Sequence, residues 1–229
     1  PQLWVDEEED EGKNQNEEQL IAEQLRRYRR KERFSYHKLQ TSQAASLFLQ
    51  NQFAQLSGNE LNVVVINFID MLSHARTESE MVRELAANEA AYRGITLSWL
   101  KNTSVQALFR ALAESDYTIV LTTDHGSIRV SAPSKVVGER TLNTNLRYKV
   151  GRQMSYNNRE VFEVREPLKV GLPSPKLSST YIFATGSRFF AYPNNYNYYV
   201  QYYQDTFQHG GLSMEEMIVP IVTLRPRRR

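Results

Sequence analysis

The sequence predicts an α/β fold: a central, mostly parallel sheet flanked by helices, with helices at the N-terminal side and a β-rich insertion. Three observations carry that expectation. Two runs, residues 61–69 and 117–122, are apolar and β-branched almost throughout, the pattern of strands buried on both faces of a parallel sheet. Helical patterns at 78–92 and 104–115 lie between them, enough chain for a parallel crossover. Hydrophobic residues make up 41% of the 229, so a sizeable core can be buried.

Taken in order, the chain opens with six consecutive acids, residues 6–11, and then a basic cluster, Arg26, Arg27, Arg29, Arg30, Lys31 and Arg33. Such blocks are usually solvated faces, with a binding role as the alternative. Between them, residues 17–33 carry Leu20, Ile21 and Leu25 at helical spacing without Gly or Pro, which predicts a surface helix. A second helix is expected over 36–56, where Leu39, Leu47, Phe48, Phe53 and Leu56 supply the apolar positions and Gly58 the stop. Residues 1–60 thus read as a charged helical segment attached to an α/β core over 61–229. After the two apolar strands, residues 126–175 hold short strands and turns. A further strand at 180–184 precedes a tyrosine-rich tract, and a last one at 217–224 leads into the tail Arg225-Pro226-Arg227-Arg228-Arg229.

Composition narrows the functional classes. Lys and Arg number 28 against 26 Asp and Glu, a net charge of +2, which argues against a polybasic protein that binds by bulk charge. Cysteine is absent, so disulfides, thiol catalysis and Cys-ligated metals are excluded, and any metal must be held by His, carboxylates or backbone oxygens. No apolar run approaches the ~20 residues that span a bilayer, and the acidic start is unlike a signal peptide; a soluble, cytoplasmic protein without membrane insertion is expected.

Three stretches can carry chemistry. Asp70-Met71-Leu72-Ser73-His74 follows the first apolar strand, and in open α/β sheets ligands collect beyond the carboxyl ends of strands. If the chain turns helical there, Asp70 and His74 lie one turn apart on one face, a donor pair suited to an ion such as zinc. Thr122-Thr123-Asp124-His125-Gly126 follows the second strand. Asp124 and His125 are either a ligand pair on a sharp turn that Gly126 permits, or a turn in which Asp124 caps a backbone N–H and His125 is merely exposed. The third stretch, His209-Gly210-Gly211-Leu212-Ser213-Met214-Glu215-Glu216, places a histidine on a glycine loop just before a helix start, with Ser213 and Glu216 spaced as a capping box. Elsewhere, Arg129 and Arg188 can clamp a phosphate bidentately or serve as surface ion-pair partners. The tyrosines of the 181–207 tract can stack on bases or pack on the sheet. His37 reads as structural or solvent-facing.

Together the three stretches resemble the alkaline phosphatase superfamily. Within it, HGGLSMEEMIVP looks like the C-terminal signature of PglZ domains, and VVVINFIDMLSHARTE with LTTDHGSIRV looks like the PglZ branch found as the effector half of PorX-type response regulators of the type IX secretion system. The likeness extends over essentially the whole chain, including the LWVDEEEDEGKN opening. It implies that Asp70, His74 and His209 hold one zinc ion and that Asp124 and His125 hold a second. The activity implied is that of a zinc-dependent phosphatase or phosphodiesterase acting on nucleotide or oligonucleotide phosphoesters. Signalling partners and a homodimer are further implied, and a non-catalytic interaction module is the alternative.

The resemblance also implies an Asp on the first strand of the sheet, ligating the second metal, and a Ser or Thr nucleophile at a nearby helix start. Both precede the D-x-x-x-H element. Ahead of Leu61 the available hydroxyls, Ser35, Thr41, Ser42 and Ser46, fall in a predicted helix with no strand before it. The expectation is therefore a C-terminal fragment: first strand, nucleophile, one ligand and a receiver domain all lie before residue 1, and the fragment's own chemistry is impaired.

Overall fold

The computed structural model describes residues 16–138, 145–175 and 178–226. The acidic run 6–11 and the arginines at 227–229 lie outside the described residues. By packing, the chain divides into two compact units: one holds the described residues up to Val120 together with 223–226, the other holds Leu121–Val222.

In the first unit, helix α1 (Glu17–Arg27) forms where a helix was expected over 17–33 but ends six residues earlier; acids occupy its first turn and arginines its last, and it buries no residue. The segment expected to begin the second helix is instead a strand, β1 (Phe34–Leu39), followed by α2 (Ser42–Asn51) and a 3-10 turn at Phe53–Gly58. The helical spacing of Leu39, Leu47, Phe48, Phe53 and Leu56 concealed a boundary at Gln40-Thr41. There Thr41 is the N-cap of α2, its hydroxyl accepting from the Ala44 N–H at 3.1 Å. Phe34 and Tyr36, either side of Ser35, have the period-2 aromatic spacing that suits a pleated strand. Its ladder partner is β2 (Leu61–Ile66), parallel and in register from Phe34↔Leu61 to Leu39↔Ile66, with Ser35 Oγ donating to Asn62 Oδ1 at 2.7 Å. A strand therefore does precede Leu61, contrary to the expectation of a helix without one. Its sequence, FSYHKL, carries no Asp.

The expected 61–69 strand ends early: Phe68 already belongs to α3 (Phe68–Glu78). The helical pattern of 78–92 divides at Asn88, whose side chain accepts from the Ala91 N–H, giving α4 (Glu80–Leu85) and α5 (Glu89–Asn102). Helix α6 (Ser104–Ala113) and strand β3 (Ile119–Leu121) fall where expected. Leu39, Ala45, Phe48, Leu56, Val105 and Leu108 form the core, with Val64, Ile66 and Trp99 against it. His37 is packed on the Phe48 ring, 4.7 Å between centroids, so it is structural. Arg76 is buried, its Nε donating to the Ala86 carbonyl at 2.6 Å, and ties α3 to the end of α4.

The second unit contains β4 (Ile128–Arg129), β5 (Ala132–Lys135), β6 (Tyr148–Gly151), β7 (Val161–Val164), β8 (Thr180–Ala184), β9 (Arg188–Ala191), α7 (Tyr196–Tyr203), β10 (Phe207–Gln208) and the short α8 (Met214–Met217). Strands β6, β8 and β7 make an antiparallel sheet, β5 pairs with β9 in parallel, and β4 pairs with β10 antiparallel. Val136, Ile182, Ala184 and Phe190 are its core. The last expected strand, 217–224, is reduced to β11 (Val222–Leu224), because Met217 closes α8 and Pro220 has no N–H for a ladder; β11 pairs with β3. The tyrosines of α7 stack on one another, Tyr198 on Tyr202 and Tyr199 on Tyr203.

The chain is thus a mixed α/β structure with several small sheets among the described residues. Parallel pairing occurs at β1–β2 and β5–β9. The strands expected to be buried on both faces are half-buried in β2 and largely exposed in β3, and among the described residues each has one ladder neighbour.

Candidate functional site

The five candidate ligands fall into two groups, one in each unit. Asp70 sits in the first turn of α3, directly after β2, where a carboxylate complements the helix dipole. The helix carries His74 one turn on, and its Nε2 lies 3.6 Å from Asp70 Oδ1, the arrangement the i, i+4 spacing predicted. Asp70 is also flanked by Tyr92, whose hydroxyl donates to the Ile69 carbonyl at 2.7 Å. Burial, and after it the Asp70 charge, pushes the Tyr92 phenol up to about 12, so it remains a donor throughout the working pH range.

In the other unit the antiparallel pairing of Ile128 with Gln208 brings the segment before β4 and the segment after β10 to one end of the ladder. Those segments carry His125 and His209, whose rings stack with centroids 4.0 Å apart and planes 14° from parallel. His125 Nδ1 is 3.0 Å from the Gly126 carbonyl. A carbonyl only accepts, so Nδ1 holds the proton in the neutral ring and Nε2 keeps the lone pair a cation needs. Asp124 is mostly exposed and does cap its own turn: Oδ1 accepts from the His125 N–H at 3.0 Å, and Thr123 Oγ1 donates to Asp124 Oδ1 at 3.3 Å and to the His125 carbonyl at 3.0 Å. The capping half of the plain-turn reading therefore holds, whereas His125 is engaged with a second histidine.

Gly126 acts differently from the expectation of a sharp turn. At Gly126 a Cβ would overlap the Glu215 carbonyl oxygen, so this position is glycine because α8 packs directly on it; its N–H donates to the Glu216 carbonyl at 2.9 Å. Gly210 has φ +102, a conformation that L side chains rarely adopt, and a Cβ on Gly211 would stand 2.7 Å from the Arg147 guanidinium and from the Ala184 carbonyl.

The predicted capping box is half made. Ser213 Oγ accepts from the Glu216 N–H at 3.2 Å, but the Glu216 carboxylate turns inward to Arg147, Oε1 to Nε at 2.9 Å and Oε2 to Nη2 at 2.6 Å. Both side chains are almost fully buried. Burial pushes the Glu216 carboxyl up, but hydrogen bonds from Arg147, the Ser213 contact, the Arg147 charge and the Gly211 N–H outweigh it and hold the pKa below the ordinary carboxylate value. Arg147, between Leu146 and Tyr148, had no signal in the sequence, because an arginine reads as surface unless a buried partner is known. Of the two arginines proposed for substrate, Arg129 is paired with Asp205 at 3.1 Å, and the main-chain carbonyl of Arg188 accepts from Arg147 Nη1.

Carboxylates and imidazoles without sulfur are donors for a divalent cation of the hard-to-borderline kind. The chain belongs to the PglZ alkaline phosphatase-like domain family: residues 1–224 match the BREX system PglZ alkaline phosphatase-like domain. Comparison with curated proteins finds no match. Membership points to phosphoester hydrolysis as the class of activity and to metal ions as its cofactors. Among the described residues no helix is long and apolar enough to cross a membrane.

Proposed function

We propose that the chain is the catalytic part of a zinc-dependent phosphodiesterase or phosphatase, with Asp70, His74 and His209 as ligands of one ion and Asp124 and His125 as ligands of another. The observation that carries this reading is the stacked pair His125 and His209, with the Gly126 carbonyl fixing His125 as a donor through Nε2. Cations held by these residues would neutralise phosphoryl oxygens and lower the pKa of an attacking hydroxyl or water. The chain's own residues orient and hold: Thr123 and the His125 N–H fix the Asp124 carboxylate, and α3 presents Asp70 with His74. Nucleotide or oligonucleotide phosphoesters are the substrate class, and the setting is the effector half of a PorX-type response regulator, cytoplasmic, acting in type IX secretion. Arg129 and Arg188 are secondary candidates for phosphate contacts, Arg129 after release from Asp205.

The test is bound zinc, measured by elemental analysis after dialysis, together with hydrolysis of bis(p-nitrophenyl) phosphate by the full-length protein. Zinc retention lost in Asp124→Ala and His209→Ala supports the reading; no zinc bound by the wild-type protein overturns it.

A second reading, an interaction module, is favoured by one observation: α1 buries none of its residues and segregates its charge along its length. In that case Asp124→Ala abolishes hydrolysis yet leaves signalling and secretion unchanged.

A further inference from the structure

We propose that Glu216, paired with Arg147, is a positioning residue that locks the His125 and His209 loops against each other. The inference concerns the chain's own geometry; only its consequence for metal affinity rests on the function proposed above.

Each histidine loop is attached to this one residue, and by different atoms. One residue past His125, the Gly126 N–H donates to the main-chain carbonyl of Glu216 at 2.9 Å. Two residues past His209, the Gly211 N–H donates to Glu216 Oε1, also at 2.9 Å. The carboxylate cannot swing away, because Arg147 takes both of its oxygens and is itself anchored through Nη1 to the Arg188 carbonyl of β9. The main chain of Glu216 is fixed as well, since its N–H donates to Ser213 Oγ. Direct contact at Gly126 and Gly211, where backbone meets backbone or guanidinium without an intervening side chain, passes any displacement of Glu216 to the loops. An ion pair this deeply buried adds little net stability over apolar residues of equal volume, so its value here lies in fixing geometry.

Two double variants separate positioning from stability. Arg147→Met with Glu216→Leu removes both charges and leaves the Gly211 N–H without its acceptor. Arg147→Met with Glu216→Gln also removes both charges but keeps a side-chain oxygen for Gly211. In the metal-free full-length protein, the ring protons of His125 and His209 are shifted upfield by their stacking; that shift is expected to be lost in the Leu variant and kept in the Gln variant. Titration with zinc alone should show the Leu variant weakened by about 10- to 100-fold and the Gln variant within about threefold of wild type, while their thermal midpoints agree. A Leu variant with wild-type ring shifts, or a Gln variant that loses them equally, overturns the proposal. Should neither variant fold, hydrogen exchange in the wild-type protein decides: the Gly126 and Gly211 amides must exchange as slowly as those of β8, and rapid exchange at either sinks the idea. Zinc failing to bind a wild-type protein whose rings are stacked overturns the metal reading and leaves the brace standing.

Discussion

Asp70 and His74 are neighbours because a helix turns: a spacing of four positions in α3 delivers both side chains, and nothing outside that turn is needed to align them. His125 and His209 are neighbours although most of their unit's chain lies between them. That contact needs the β4–β10 ladder, glycines at 126, 210 and 211, and a buried ion pair behind them. The first arrangement is local and tolerant of change elsewhere; the second is long-range and concentrated in a few irreplaceable atoms. The two regions should therefore fail under different perturbations.

The largest contrast is expected from Arg147→Ala. It strands the Glu216 carboxylate in a dry interior and should destabilise the Leu121–Val222 unit by about 3–5 kcal/mol. Urea titration by far-UV circular dichroism gives the loss, and in a Trp4→Phe background the fluorescence of Trp99, stacked on Phe68 in the other unit, shows whether that unit follows. Coincident transitions with equal loss at both probes erase the contrast. Gly126→Ala comes next: the methyl overlaps the Glu215 carbonyl, and about 1–3 kcal/mol is expected, with faster exchange of the neighbouring amides. In the helical unit, Thr41→Ala removes the α2 N-cap at a cost of about 1 kcal/mol, read from the urea midpoint at unchanged slope. Smallest of all, His74→Ala should shift stability by less than about 0.5 kcal/mol while lowering zinc affinity, which divides the helical pair's role from its structural weight.

Acid sharpens the same comparison. Burial holds the His37 imidazole below its usual 6.5, with Gln52 and Glu18 only partly offsetting it. The folded unit thus binds this proton less readily than the unfolded chain does. Its stabilising share is complete above pH 6.5 and declines as pH falls from there towards the lowered folded value. Glu216 is likewise held below its ordinary 4.5, so its share is complete above that value and is lost only as pH falls through the folded pKa. Hydrogen exchange from pH 7 to 4 should show the β1–α2 region loosening first. Simultaneous loosening of the β4–β10 region breaks the expectation.

The same distinction explains what could be read in the sequence. The three motif stretches were visible because each is contiguous, and the Asp70–His74 geometry followed from helical periodicity alone. Strand β1 was hidden, because the apolar positions of 39–56 fit a helix and only the parallel ladder with β2 makes residues 34–39 extended. Arg147 was hidden for a related reason: nothing local marks a charged residue as buried, and its partner Glu216 stands at the spacing of a local capping residue. That role is half correct, since Ser213 does cap α8 while the carboxylate answers to a residue far back in the chain. Gly126 was singled out for a sharp turn, whereas its importance comes from what lies across from it.

Position 126 also sets a practical boundary for engineering. A saturation library there should return glycine almost alone among folded clones, although His125 beside it is only half-buried and would look open to change. Directed evolution of the surrounding loop therefore gains most by moving α8 first, since any side chain placed at 126 has to displace the Glu215 carbonyl.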